Sequence, residues 1–167
     1  MKKILTAVLS LALLTIQFMV PVCAEEKPIS TAEITAYDEN GNVIGRQYLL
    51  LNEENSSASI NGVVRYGEKT VTYTCKIGSV IYYKVSTICR YKNDDGLLTY
   101  VSHRKGNVTN LAATVSSVTA GNSSVQQDGD RDLNQPLIVT ARYYLAYSYI
   151  PNGVTLPSYF DVIYRIH

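Results

Sequence analysis

Thr70-Val71-Thr72-Tyr73-Thr74-Cys75-Lys76-Ile77, then Gly78-Ser79, then Val80 to Tyr91, is the stretch that decides the fold. In the first run Val71, Tyr73, Cys75 and Ile77 alternate with Thr72, Thr74 and Lys76. A period of two puts the first set on one face of an extended strand and the polar set on the other. The second run repeats the pattern. Ile81, Tyr83, Val85, Thr87, Cys89 and Tyr91 form its more apolar set, with Tyr82, Lys84, Ser86 and Arg90 among the alternates. Both segments read as half-buried strands joined by a turn, and both cysteines fall on the apolar faces. A two-residue turn of the simplest register sets Cys75 opposite Tyr82, so a Cys75–Cys89 bond requires another register or two sheets.

The same reading extends in both directions. Ala32 to Tyr37 and Val43 to Leu51 flank Asp38-Glu39-Asn40-Gly41-Asn42, and Asn-Gly between apolar runs predicts a hairpin. Ser59 to Tyr66, interrupted by Asn61-Gly62, reads as a short strand with a bulge or a tight turn. Lys92 to Gly96 is a turn, Leu97 to His103 a strand and Arg104 to Asn107 another turn. Val108 to Ala120 has Val108, Leu111, Val115 and Val118 at helical spacing, but its β-branched content favours a strand. Gly121 to Gln135 reads as a polar loop with at most a brief strand at Val125 to Gln127. Leu137 to Tyr149 alternates over a long strand, and Phe160, Val162, Tyr164 and Ile166 mark a last one.

With about eight to ten strands and no convincing helix, the expected fold is all-β. It is an antiparallel β-sandwich or a barrel. An immunoglobulin-like topology is one candidate, although no Cys-Trp-Cys pattern argues for it. The sequence has 14 Tyr, 2 Phe and no Trp, so the core is expected to be built from amphipathic rings.

Residues 1–24 read as a secretory signal peptide. Lys2 and Lys3 precede an apolar stretch from Ile4 to Val20, Pro21 breaks it, and Val22 and Ala24 are small residues suited to cleavage before Glu25. A permanent anchor is disfavoured by Thr6, Ser10, Thr15 and Gln17, and lipid attachment at Cys23 by the preceding Val22. The expected protein is therefore secreted, of bacterial style, without a stable membrane anchor. A polar arm spans residues 25–31 and a single β-rich domain residues 32–167. Of the 15 basic residues in the sequence, Lys2 and Lys3 leave with the signal, so 13 face 14 acidic ones. A near-neutral chain with no long basic run argues against nucleic acid as a partner. In an exported chain the remaining pair, Cys75 and Cys89, is expected to form a disulfide.

Chemistry-bearing motifs are few. Asp128, Asp130 and Asp132 alternate in a loop and are candidate calcium ligands, although Leu133 and Val139 break the EF-hand pattern. Tyr82 with Lys84, and Arg142 with Tyr144, are candidate ligand-binding pairs on outward strand faces, where rings and cations suit a sugar or a peptide. No Gly-x-Ser-x-Gly, His-Glu-x-x-His or phosphate loop occurs, and His103, beside Arg104 and Lys105, reads as a solvated turn residue. The expectation is a non-enzymatic extracellular domain that binds an unidentified ligand. A tyrosine-based carbohydrate-binding module is the first alternative, and a small secreted hydrolase the second.

Overall fold

A computed structural model describes residues 29–51, 64–129 and 134–167. Its elements are β1 (Thr31–Tyr37), β2 (Val43–Leu50), β3 (Val64–Ile77), β4 (Val80–Asp94), β5 (Leu97–Asn110), β6 (Thr114–Gln127), β7 (Leu137–Tyr149) and β8 (Tyr159–Ile166). They form two antiparallel sheets, one of five strands in the order β2-β1-β8-β7-β6 and one of three in the order β3-β4-β5. The sheets are not closed into a barrel, which makes the molecule an open sandwich. The signal segment and most of the arm lie outside the described residues.

Alternation accounts for the layers. In β8, Phe160, Val162, Tyr164 and Ile166 are fully buried while their neighbours are not, and β7 buries Leu137, Val139, Ala141 and Tyr143 in the same way. From the facing sheet come Val71, Tyr73, Tyr83, Val85 and Cys89. Each large apolar side chain so buried stabilises the fold by about 1.5–3 kcal/mol. The core tyrosines bring hydroxyls that need partners, and they find them inside the sandwich. Tyr164 and the Thr87 hydroxyl are 2.7 Å apart, and Tyr83 and Tyr147 share a bond of 2.8 Å while Tyr147 donates to the Pro157 carbonyl at 2.6 Å.

The β1–β2 turn is built as the sequence predicts. The Asp38 carboxylate accepts from the Asn40 and Asn42 amides and from the Asn42 side chain, and Gly41 takes φ +81°. The turn after β4 also follows its chemistry, with Asp95 and Gly96 at positive φ and the Gly96 amide bonded to the Asn93 side chain.

Several expectations are corrected. The Cys75–Cys89 disulfide is absent: both thiols are free and buried. The reason is the register of the β3–β4 hairpin. Lys76 pairs with Ile81 but Cys75 with Tyr83, so Tyr82 is the extra residue. Cys89 then stands opposite Lys69, six residues along β4 from the partner of Cys75. That is about 20 Å of strand, against a Cα separation below roughly 7 Å for a bond. Residues 104–107 are not a turn but the middle of β5, and β3 is continuous from Val64. The segment from Val108 to Ala120 is two strands rather than one, divided at residues 111–113, where the chain crosses between sheets. Asn110 fixes that crossing by accepting from the Val115 amide at 3.0 Å, and the Leu111 and Ala113 amides both donate to the Tyr82 carbonyl. Most of the predicted loop from Gly121 is the second half of β6, irregularly paired with β7.

Candidate functional site

Strand register, read across the five-stranded sheet, assembles the outward-facing side chains into rows. Tyr37 of β1 stands opposite Tyr159 of β8, which stands opposite Tyr144 of β7. In the next row Thr35 faces Asp161, and Asp161 faces Arg142. Three tyrosines from three adjacent strands therefore lie beside one ion pair.

The contacts are specific. Arg142 Nε donates to one Asp161 oxygen at 2.7 Å and a terminal nitrogen donates to the other at 2.8 Å. This bidentate geometry fixes both planes, and Asp161 holds the guanidinium more firmly protonated than usual. The same guanidinium lies 4.5 Å from the centre of the Tyr159 ring, a cation–π contact. Tyr37 stacks on Tyr159 with centroids 4.8 Å apart and planes 13° apart. Partial burial pushes the Tyr37 hydroxyl pKa up, and the Asp161 carboxylate adds to the shift. Tyr159 thus spends its ring on Tyr37 and Arg142.

Tyr144 is different. It is 48% exposed, tilted 50° to Tyr159, and leans over Gly121 of the neighbouring strand. A Cβ at position 121 would meet its Cε2 at 2.7 Å, so the absence of a side chain there lets the ring lie down on the sheet. Beside it is a depression of ≈ 210 Å³ lined by Asn122, Ser123, Ser124, Thr140, Arg142, Tyr144 and Asp161. Hydroxyls, an amide, a carboxylate and a guanidinium meet one aromatic wall. Arg142 has five N–H donors and gives Asp161 two of them.

The candidate residues from sequence divide between the sheets. Arg142 and Tyr144 come together at this depression, whereas Tyr82 and Lys84 lie in β4 of the other sheet. Lys84 is exposed opposite Thr74 and Thr109. Tyr82 is only 9% exposed: it is the bulged residue of β4, and its carbonyl accepts from the Leu111 and Ala113 amides of the β5–β6 crossing, which corrects its reading as an outward ring. Asp128 is exposed, and Asp130 and Asp132 lie outside the described residues. His103 is not a solvated turn residue. It sits within β5, its Nδ1 is 2.7 Å from the Tyr100 hydroxyl, its ring meets the Tyr143 ring edge-on, and its Nε2 is buried without a hydrogen-bond partner among the described residues.

Tyr37, Tyr159 and Asp161 were missed from sequence. The β8 alternation carries the signal for two of them: if Phe160 and Val162 face inward, Tyr159 and Asp161 face outward. Register with β7 and β1, which joins them to Arg142 and Tyr37, has no comparable local signal. The chain matches no protein-family model, no curated protein and no solved structure.

Proposed function

We propose that this chain is an exported, non-enzymatic binding domain that holds a saccharide unit on the outer face of its five-stranded sheet. The observation that carries the reading is the meeting of the exposed Tyr144 ring with the fixed Arg142–Asp161 pair in one shallow depression. A sugar offers an apolar face of C–H groups and a rim of hydroxyls. The ring suits the face, while the remaining Arg142 donors, the Asp161 lone pairs and the Asn122, Ser124 and Thr140 side chains suit the rim. Because Tyr159 already uses its ring on Tyr37 and Arg142, Tyr144 is the stacking surface, and the small volume fits one sugar unit rather than a flat polymer.

Binding is favoured over hydrolysis by the state of the carboxylate. Glycoside cleavage uses two carboxyl groups flanking the bond. Asp161 alone among the described carboxylates lines the depression, and both its oxygens already accept from Arg142. Export rests on the signal-like residues 1–24.

A glycan array probed with residues 25–167 tests the reading. Binding to a defined set of glycans, lost in Tyr144→Ala and in Arg142→Ala, is expected, with no turnover of the bound glycan. An empty array, or binding indifferent to both substitutions, removes it. N-terminal sequencing of protein recovered outside the cell is expected to begin at Glu25.

A further inference from the structure

Among the described residues four strands end the sheets without a second ladder partner, β2 and β6 in one sheet and β3 and β5 in the other. Unpaired edges recruit other strands unless charge, irregularity or cover blunts them. Three are blunted. The β6 ladder with β7 shifts register at four places, and the β5 ladder with β4 at two, with Arg104 and Lys105 between them in sequence. On β3, Lys69 points inward and is buried, a device that resists edge pairing.

Among the described residues β2 carries none of these devices, its Gln47 side chain accepting from the Thr74 amide of β3 at 3.2 Å. Its sequence, Val43-Ile44-Gly45-Arg46-Gln47-Tyr48-Leu49-Leu50, holds one charge and no proline, and its one shift against β1 lies at its start. Tyr48 is 69% exposed and Leu50 71%. Large apolar side chains left this open along an unpaired edge mark an interaction surface.

We propose that the occupant is a second copy of the chain, joined β2 to β2 in antiparallel fashion about a two-fold axis at Gln47. Side chains directly opposite in such a ladder must share a face, which limits the registers available. With Gln47 on the axis, Arg46 of each copy stands opposite Tyr48 of the other, both on the outer face, as their partners Thr35 and Glu33 show. Tyr48 donates to Glu33 at 3.3 Å, so the arriving guanidinium meets a ring and, behind it, a carboxylate. The same register carries Leu50 of each copy to the Val43–Ile44 end of the other. A cavity of ≈ 430 Å³ between Tyr48, Leu50 and Arg165 receives that end. Pairing at Arg46 instead would set two guanidinium groups face to face. The two five-stranded sheets become one ten-stranded sheet with both saccharide faces on the same side.

Analytical ultracentrifugation over a dilution series of the purified protein tests this, with far-UV circular dichroism confirming that each variant is folded. Wild type is expected to pass from monomer to dimer as concentration rises. Tyr48→Arg, which opposes two cations, weakens the dimer by about tenfold or more, and the exchange Arg46→Tyr with Tyr48→Arg restores it, because each copy then presents the reciprocal pair. Gln47→Cys forms an interchain disulfide at the axis, which keeps the test decisive if Tyr48→Arg fails to fold. A wild type that is monomeric at every concentration overturns the proposal. So does a dimer indifferent to Tyr48→Arg, which would place the contact on another edge.

Discussion

Reduction of the purified domain separates two descriptions of β3 and β4. If Cys75 and Cys89 were bonded, the bond would close a short loop and stabilise the fold by roughly 3 kcal/mol. At about 3–4 °C per kcal/mol for a domain of this size, reductant would lower the melting midpoint by about 10 °C. The register gives another answer. Cys75 faces Tyr83 and Cys89 faces Lys69, so the thiols are separated by about 20 Å along the strands, nearly three times the longest Cα separation a disulfide spans. The midpoint of residues 25–167 is therefore expected to be the same with and without reductant. Denaturation with an alkylating reagent and no reductant should label both cysteines, as read by intact mass. In the native state labelling should be slow, because both thiols are buried and desolvation pushes Cys89 up to about 12 and raises Cys75 as well. Two unlabelled cysteines in denaturant, together with a midpoint that falls by about 10 °C on reduction, would refute the β3–β4 pairing.

Three further outcomes test the site and the core. Gly121→Ala must displace the Tyr144 ring, so glycan affinity should fall while the melting midpoint moves by little, since the ring is exposed; titration of the bound glycan decides it, and unchanged affinity means Tyr144 is not the platform. His103 has its pKa lowered, mainly by desolvation, with the nearby Gly121 backbone offsetting part of this without completing a hydrogen bond. The unfolded chain then binds a proton more readily than the folded one, so this contribution is full above the ordinary value of 6.5 and is lost as pH falls through the depressed folded value. Melting between pH 8 and pH 5 should show a decline that His103→Gln reduces; an identical decline in the variant refutes the assignment. Thr87→Val and Tyr164→Phe each remove one hydrogen bond from a buried hydroxyl pair whose Thr87 member also meets the Val71 carbonyl, and should cost about 0.5–1.5 kcal/mol, whereas the double variant costs less than the sum because both groups are gone. Denaturant titration measures the cycle, and strict additivity would show that the two hydroxyls do not interact.

What the sequence carries and what it hides follow from range. Alternation is local, so the inward faces of β4, β7 and β8 are legible, and with them the all-β sandwich. Asp38 and Gly41 announce their turn because the chemistry lies within five residues. The bulge at Tyr82 has no such signal. The Leu111 and Ala113 amides of the β5–β6 crossing bond the Tyr82 carbonyl, so residues far along the chain brace the bulge that sets Cys75 opposite Tyr83. Nor does Gly121 announce itself. Its Gly-Asn sequence imitates a loop, while in the fold it lies within β6 at a register shift and frees the surface on which Tyr144 lies. The same glycine links the two faces of β6. On the outer side it seats the Tyr144 ring, and its backbone lies close to His103 within the sandwich. Protonation of His103 would introduce a charge beside that segment, so glycan affinity should weaken over the pH range in which the His103-dependent stability falls. Binding that stays constant while stability declines would show that the segment transmits nothing between the two faces.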